Sequence, residues 1–442
     1  MVILGLGSNL GDRLSHLRLA LQAIKQIPNT TVEQVSPLYI SDALLPENAP
    51  SSWDQPYINL ALRCHSSLTP HELLTHIKTI EHSIGRKPEK RHWGPRLIDI
   101  DVLTWDDMVH HDDKLTLPHR DLSERPFALW PLADVAPRWI HPIHRQSAAE
   151  IVSPWGSRFT GEAPLHTRQI AHRVDTPELV GVLNVTPDSF SDGGHYLDIE
   201  KALEHAQCLI TYGAEIIDIG AESTRPNAHR PLNAAEEWQR LEPILSALKD
   251  RSLFSLLQPK ISVDTRHAET AAKAIASGID WINDVTGLTQ PNMRQCIANS
   301  TVDCVVMHHI TIPADPKQTI PRDQDPVNFL YQWGKNQIIT LEQAGIASNR
   351  VILDVGIGFG KTAYQSLALL KHINEFKKLG TRLLVGHSRK SFMHLFTPRP
   401  PSERDIETMA TALYLANQDV DYLRVHNVDM CARGLKVMKA LA

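Results

Sequence analysis

From Val180 onward the sequence repeats one grammar eight times: a short apolar run rich in Val and Ile, closed by a polar residue and followed by a stretch with helical spacing. The runs are Val180 to Val185, Glu215 to Ile219, Lys260 to Val263, Ile279 to Ile282, Val302 to Met307, Val351 to Leu353, Arg382 to Val385 and Tyr422 to Val425. Short apolar runs bounded by turn formers fit buried strands, and Ile199, Ala202, Leu203, Ala206, Leu209 and Ile210 show the spacing of an amphipathic helix between two of them. Strands that alternate with helices pair in parallel, because a helical crossover returns the chain to the same end of the sheet. Eight such pairs predict an α/β TIM barrel, with its chemistry at the C-terminal strand ends. The closing residues are Asn184, Asp218, Asp264, Asn283, His308, Asp354, His387 or Ser388, and His426. After the first run come Thr186, Pro187, Asp188, Ser189, Ser191, Asp192, Gly193 and Gly194, a loop more polar than a turn requires.

The barrel leaves room in 442 residues for another domain before it. The chain is 42% hydrophobic and 21% charged, with a formal net charge of −5 and no long basic block, which argues against nucleic acid or a membrane surface as partner. The opening MVILGLGSNLGD has neither a basic n-region nor a sustained apolar core, and no run of 18 apolar residues follows. Neither export nor membrane spanning is expected, and the cytoplasm is the expected location. Cys64, Cys208, Cys296, Cys304 and Cys431 form no C-x-x-C pair and read as reduced, mostly structural thiols.

Near the start, Val2 to Leu6 reads as a strand, followed by a turn at Gly7, Ser8 and Asn9 and a helix from Asp12 with Leu14, Leu17, Leu21 and Ile24 on one face. Val32 to Tyr39 and Tyr57 to Arg63 read as strands, separated by a loop, Ile40 to Gln55, long enough to be functional. Thr69, Pro70 and Glu72 predict a capping box with proline at the first helical position, opening a helix with Leu73, Leu74, Ile77, Ile80 and Ile84 on one face. A basic loop, Arg86 to Arg96, leads into a strand from Leu97 to Leu103. So mixed an order predicts an α+β sandwich of ferredoxin-like type rather than a second barrel.

Asp99 and Asp101 alternate on that last strand, so their carboxylates leave the same face about 7 Å apart. Two carboxylates so held repel unless a cation lies between them, and Mg²⁺ binds through one or two carboxylates plus substrate phosphates. A bare D-x-D reads more readily as an exposed polar face. Arg86, Lys87, Lys90, Arg91, His92, Trp93 and Arg96 just before it turn the reading towards a metal–nucleotide site, since triphosphates need such cations. In the barrel, Arg424 and His426 alternate on the last strand and share a face beside Asn184 at the end of the first. GFGK, Gly358 to Lys361, is too short for a phosphate loop and reads as a turn with a surface lysine.

Two resemblances rest on these motifs. RHWGPRLIDIDVL at Arg91 to Leu103, with GLGSNLGD at the start and LPHRDLSERPFAL at Leu117 to Leu129, resembles the 6-hydroxymethyl-7,8-dihydropterin pyrophosphokinases over about residues 1 to 145. The resemblance implies ATP as a substrate, two Mg²⁺ held by Asp99 and Asp101, and contacts to ATP phosphates or adenine surroundings from Arg86, Arg96, His119 and Arg125. It also implies a pterin pocket from Tyr57, Asn59 and Phe127, with Trp93 among the substrate contacts; aromatic faces supply stacking and Asn a paired donor and acceptor. Glu89 stands where that family often carries a lysine.

GVLNVTPDSFSDGG at Gly181 to Gly194, DIGAESTRP at Asp218 to Pro226, SVDT at Ser262 to Thr265, INDV at Ile282 to Val285, GHSRKSF at Gly386 to Phe392 and RVHNV at Arg424 to Val428 resemble dihydropteroate synthase in order and spacing, from about residue 172 to the end. The implied reaction joins a pterin diphosphate to p-aminobenzoate and expels diphosphate, so the chief task is to stabilise a departing anion. By resemblance Asn184, Arg424 and His426 hold the diphosphate, with one Mg²⁺ at Asn184, and Asp264, Asn283, Asp354 and Lys390 hold the pterin beside Met307 and Phe359. Asp188, Ser189, Phe190, Thr224, Arg225 and Pro226 close over the diphosphate and shape the aminobenzoate pocket. Ser391 takes the benzoate carboxylate at a helix N-terminus. Asp354, Val355 and Gly356 replace the family's D-P-G, and Met307 to Pro321 differs from its usual form, so that the role of this segment stays open.

Between His141 and about His172 the apolar periodicity lapses and Pro142, Ser147, Pro154, Gly156, Gly161 and Pro164 gather. The expected division is a pyrophosphokinase domain at 1–158, a linker at 159–172 and a synthase barrel at 173–442. The whole is then a bifunctional transferase for two successive folate steps on small molecules, compatible with a homodimer through the barrel. Two alternatives stay open at this point. A pterin-binding methyltransferase barrel would share Asp264, Asn283 and Asp354, although Ser223 to Pro226 and Ser388 to Ser391 argue against it. The N-terminal domain could be a non-catalytic binding module, against which stand Asp99, Asp101, Arg96 and His119.

Overall fold

In the computed structural model, which describes residues 1–86, 94–185, 195–222, 231–249 and 257–442 (backbone alone for 195–198), the chain opens on β1 (Val2–Ser8). α1 (Arg13–Ile24) follows, capped by the Asp12 side chain on the Ser15 N–H, with Leu14, Leu17, Leu21 and Ile24 buried. The strand expected at Val32 to Tyr39 is two strands, β2 (Thr30–Val35) and β3 (Tyr39–Ser41). The break falls at Ser36 and Pro37, where proline has no N–H for a ladder and the Ser36 hydroxyl instead accepts from the Ala61 N–H at 2.9 Å. β4 (Tyr57–Ser66) leads to α2 (Pro70–Ser83), whose N-terminus carries the expected Thr69–Glu72 capping box. Next come β5 (Asp99–Trp105), a small hairpin of β6 (His110–His111) and β7 (Thr116–Leu117), α3 (Pro126–Val135), α4 (Ala148–Val152) and β8 (Arg168–Gln169).

These strands form a six-stranded sheet in the order β5-β1-β4-β3-β8, with β2 also on β4, and its pairings are antiparallel. The α+β expectation holds. On one face Ile3, Ala61 and Leu103 pack against Leu129, Trp130 and Leu132 of α3. Further along the same face, β1 offers only Gly5 and Gly7, opposite Asp101 and Asp99 on one side and Ala61 and Asn59 on the other. Residues 159–172, expected as a linker, are packed on this unit: β8 pairs with β3, and Ala163 is buried. Arg173 donates to the Val35 carbonyl at 2.8 Å. The chain divides into Met1–Asp175 with Lys439–Ala442, and Thr176–Met438.

In the second unit the strands are β9 (Glu178–Asn184), β10 (Ala214–Gly220), β11 (Lys260–Asp264), β12 (Trp281–Asp284), β13 (Asp303–Met307), β14 (Val351–Asp354), β15 (Arg382–Val385) and β16 (Tyr422–Val425). All eight pair in parallel and close into a barrel, β16 against β9. Between them run α5 (His195–Thr211), α6 (Ala234–Leu248), α7 (Ala268–Ala276), α8 (Pro291–Ala298), α9 (Pro326–Gln343), α10 (Ala363–Lys371) and α11 (Asp405–Ala416), with α12 (Val428–Leu441) last. Inside lies an apolar layer of Val180, Ile216, Trp281, Val305, Ile352, Leu384 and Tyr422, with Trp281 and Tyr422 edge to face at 4.8 Å. Side chains two residues further along a strand point the same way. The next level up is therefore Val182, Asp218, Asn283, Met307, Asp354, Gly386 and Arg424, which sets four polar side chains above an apolar floor.

Candidate active sites

In the first unit the bare backbone of Gly7 leaves space that its neighbours fill: a Cβ there would stand 3.1 Å from Asn59 Oδ1 and 3.5 Å from the Tyr57 ring. Tyr57, Asn59, Asp99 and Asp101 thus share one face around a glycine strand. Asp99 accepts from Arg86 Nη1 at 2.7 Å on one oxygen and from Arg96 Nη1 at 2.5 Å on the other. Among the described residues no donor reaches the Asp101 carboxylate, whose pKa burial and the neighbouring Asp99 raise, while His119 and Lys78 oppose. Two adjacent carboxylates, one held by arginines and one without a donor, fit a divalent cation. Arg125 pairs with Asp121 at 2.9 Å just before α3, and Phe127 lies half-buried in the first turn of that helix.

Two groups behind this face have no assigned role in the sequence reading. Glu81 on α2, 2% exposed, accepts from Arg86, from Lys78 at 2.9 Å and from the Ile100 N–H at 2.8 Å, so it anchors the arginine that holds Asp99. The signal was a carboxylate four residues after Ile77, on the apolar face of its helix. Asn9 of the GLGSN motif takes the Arg96 N–H at 2.7 Å and donates to the Gln55 carbonyl at 3.1 Å, which ties three segments together. Trp93, with Lys87, Glu89, Lys90, Arg91 and His92, lies outside the described residues.

One trio among the described residues brings possible metal ligands together, His71, His110 and Asp112. Both imidazole Nε2 atoms stand 2.8 Å from Asp112 Oδ2. Ligands of one four-coordinate ion at about 2.1 Å lie about 3.4 Å apart. The trio is a half-exposed hydrogen-bonded cluster.

At the barrel mouth, Arg424 donates from Nε to Asp218 at 2.6 Å and from Nη2 to Asp264 at 3.1 Å. Asp218 also accepts from Ser262 Oγ at 2.5 Å and from Asn283 Nδ2 at 2.9 Å. Burial and the Asp218 charge push Asp264 towards its neutral form, and Arg424 opposes them. Burial raises Asp354 as well, against the Gly356 N–H at 2.8 Å and the charge of Lys390. Lys390 Nζ stands 4.3 Å over the Phe359 ring, and Phe359 packs with Met307 and Val285. His426 meets the Ser388 hydroxyl at 3.0 Å. Asn184 ends β9 level with Gly220 and Asp264 across the register.

Several expectations change here. Lys361 is no surface lysine: it is 7% exposed and donates to His308 Nδ1 at 2.7 Å and to the carbonyls of His308 and Phe359 at 3.0 Å each. Three acceptors engage its amino group, while burial pushes the pKa well below the ordinary lysine value and the charge of Asp354 opposes that shift. Ser391 opens only a five-residue 3-10 segment, Ser391–Leu395, too short for a macrodipole of much size. His308 and His387 both turn into the protein, at 4% and 0% exposure. The Met307 to Pro321 segment gains a place: Ile312 and Ala314 pack on the Met307–Phe359 cluster. Gly356 has φ +64°, and a Cβ there would lie 1.9 Å from the His308 carbonyl oxygen, so the loop tolerates only glycine. Asp188, Ser189, Phe190, Thr224, Arg225 and Pro226 lie outside the described residues.

A carboxylate pair braced by arginines on an α+β unit and a polar pocket at the mouth of a barrel mark a two-site enzyme. Family models agree: that of the 7,8-dihydro-6-hydroxymethylpterin-pyrophosphokinases matches residues 3–137, and that of the pterin binding enzymes matches residues 180–426. The folate synthesis bifunctional protein of Chlamydia caviae is 35% identical over 98% of this chain and 96% of its own. The mitochondrial folate synthesis bifunctional protein of Arabidopsis thaliana is 35% identical over 100% of this chain and 83% of its own. Among solved structures, dihydropteroate synthase from Anaplasma phagocytophilum with bound 6-hydroxymethylpterin-monophosphate is 36% identical, covers 60% of this chain and 100% of its own, and superposes with a TM-score of 0.53. The Xanthomonas albilineans synthase with 4-aminobenzoic acid is 35% identical, over 60% of this chain and 93% of its own, at 0.54. The chain belongs to the bifunctional folate synthesis proteins, joining a hydroxymethyldihydropterin pyrophosphokinase to a dihydropteroate synthase. It catalyses two successive steps of folate biosynthesis: ATP-dependent pyrophosphorylation of 6-hydroxymethyl-7,8-dihydropterin, then condensation of the diphosphate with p-aminobenzoate to 7,8-dihydropteroate.

Proposed function

We propose that the two steps are divided between the two glycine- and carboxylate-built faces described above, with 1–158 acting as the kinase, 159–172 as the connection and 173–442 as the synthase. In the first, Asp99 and Asp101 hold two Mg²⁺, which when bound neutralise the charge that develops on the transferring phosphates. Arg86, Arg96, His119 and Arg125 bind the phosphates of ATP, while Tyr57, Asn59 and Phe127 hold the pterin with its hydroxymethyl group towards them; Trp93 joins this pocket. In this reading Glu81 acts through Arg86, keeping one guanidinium fixed in place.

In the barrel the amine of p-aminobenzoate attacks the methylene carbon of the pterin diphosphate, the carbon–oxygen bond breaks, diphosphate leaves with the electron pair, and the new C–N ammonium gives up one proton to solvent. Asn184, Arg424 and His426 hold that anion, with one Mg²⁺ at Asn184, and Arg225 closes over it. Asp264, Asn283, Asp354 and Lys390 grip the pterin edge, and Met307 and Phe359 lie against its ring. Asp188, Ser189, Phe190, Thr224, Pro226 and Ser391 shape the aminobenzoate pocket. The observation that carries this reading is the level of Asn283, Asp354 and Arg424 two residues above a continuous apolar floor.

The reading extends to a protein that works on small molecules in the cytoplasm, supported by five free cysteines. It also extends to a homodimer through the barrel, supported by exposed Ile406 and Tyr414 on α11 and Val437 on α12. Light scattering of the wild type and of Ile406→Glu checks the dimer. The decisive experiment supplies ATP, hydroxymethyldihydropterin and p-aminobenzoate and follows products by mass spectrometry. Asp99→Ala and Asp101→Ala abolish the pterin diphosphate yet still condense it when it is added pre-made; near-normal pyrophosphoryl transfer in either variant would refute the metal assignment.

A further inference from the structure

Asp218 touches three other strands of the barrel and takes no part in the roles assigned so far. It is 1% exposed, on the level of Asn283 and Arg424, and both oxygens are engaged: Oδ1 by Ser262 Oγ at 2.5 Å, Oδ2 by Asn283 Nδ2 at 2.9 Å and Arg424 Nε at 2.6 Å. We propose that Asp218 is a positioning residue that fixes the hydrogen-bond polarity of the pterin pocket. An asparagine amide is two-faced, able to present either its carbonyl or its NH₂ to a ligand. An ionised carboxylate accepts only, so the face of Asn283 turned to Asp218 must be the NH₂, and the carbonyl is left for the ligand. Asn283 then selects a ring that offers an N–H at that position and rejects one that offers a carbonyl, because two facing acceptors leave both unpaired.

The same carboxylate sets Arg424. With Nε on Asp218 and Nη2 on Asp264, the guanidinium is held side-on, and among the described residues Nη1 has no acceptor. That leaves one donor of Arg424 for the leaving anion that the proposed function sets beside it. One buried group thereby orients a ring-recognising amide and an anion-stabilising arginine together, through Ser262, Asn283 and Arg424 on β11, β12 and β16.

The inference rests on Asn283 being a pterin contact, and the test separates the two claims. KM and kcat for dihydropteroate formation from supplied pterin diphosphate are measured in the full chain for Asn283→Ala, Asp218→Ala and Asp218→Asn. In Asp218→Ala no acceptor holds the neighbouring amide, which is free to turn, and KM rises by at least tenfold. In Asp218→Asn the new side-chain carbonyl keeps the place of Oδ2, accepting from Asn283 and Arg424 while its NH₂ turns to the Ser262 hydroxyl, and KM stays within threefold of the wild type. A role in folding alone lowers the amount of active enzyme in Asp218→Ala without moving its KM. A pteridine with a carbonyl in place of the 2-amino group, a poor inhibitor of the wild type, gains on Asp218→Ala. If Asn283→Ala raises KM while Asp218→Ala leaves it within twofold, or if that pteridine gains nothing on Asp218→Ala, the proposal is overturned. If Asn283→Ala itself leaves KM unchanged, the pterin assignment of Asn283 fails first.

Discussion

Two titratable groups at the barrel mouth respond to burial with opposite consequences. His387 follows β15 and is fully buried, with Nε2 3.1 Å from the Thr408 carbonyl, and burial holds its imidazole down to about 4. A histidine with a depressed folded pKa is charged more readily when unfolded, so stability present above pH 6.5 is lost as pH falls from 6.5 towards 4, by about 3 kcal/mol for one such group. We expect denaturant unfolding of the barrel at pH 7 and pH 4.5 to show that loss, and His387→Gln to flatten it. Asp264 runs the other way: a carboxyl raised by burial and by Asp218 binds its proton more tightly when folded, so its contribution falls as pH rises above the ordinary carboxylate range towards 8. Asp264→Asn should remove that slope and, by losing a directional contact in a desolvated pocket, weaken pterin binding in the barrel by about 2 kcal/mol. Unchanged pterin affinity by calorimetry would refute the contact. Residues of this kind were legible only in part. Asp264, Asn283 and Arg424 show themselves as polar endings of apolar runs, whereas Lys361 looked like surface because its three acceptors come from segments far apart or from the backbone, which no spacing reveals.

At the level of elements, the eight strands could be read because the barrel floor demands an apolar residue on each inward position and the outer helices demand another on each outward one. Boundaries moved where a polar side chain belongs to the ladder: β12 runs to Asp284, so that Asn283 sits within the strand and not after it. α2 was legible from its first turn alone. Thr69 accepts the Glu72 N–H while the Glu72 carboxylate takes the Thr69 N–H at 2.7 Å, and both bonds follow from the T-x-x-E spacing. Thr69→Ala should cost about 1 kcal/mol in the unfolding of the first unit, with the barrel transition unmoved; a shift in both transitions would show that the units do not unfold separately. What spacing could not give was the break at Pro37, fixed by the Ser36 hydroxyl reaching Ala61 on β4, and the short 3-10 segment after β15, where the resemblance had implied a helix N-terminus at Ser391.

For the whole molecule, the order of substrates in the second step follows from where charge gathers. In the proposed reading Arg424, His426 and Asn184 hold the diphosphate and Arg225 closes over it, so the aminobenzoate pocket should be complete only when diphosphate and Mg²⁺ are present. Equilibrium titration should find p-aminobenzoate binding weakly alone and more tightly with diphosphate, Mg²⁺ and a pterin, with Arg225→Ala losing most of the gain; equal affinities with and without diphosphate would show a preformed pocket.

The seven apolar side chains packed across the barrel beneath this pocket leave no way through it. A well closed at the bottom has one doorway, and traffic through it is last in, first out. With the pterin gripped nearest the floor, as proposed above, it must arrive before the aminobenzoate and cannot depart while anything stands above it. An inhibitor lodged in the upper part would therefore imprison the pterin below and draw down the free pool of the first step's product, an effect that grows with time in a way that simple competition at the rim does not.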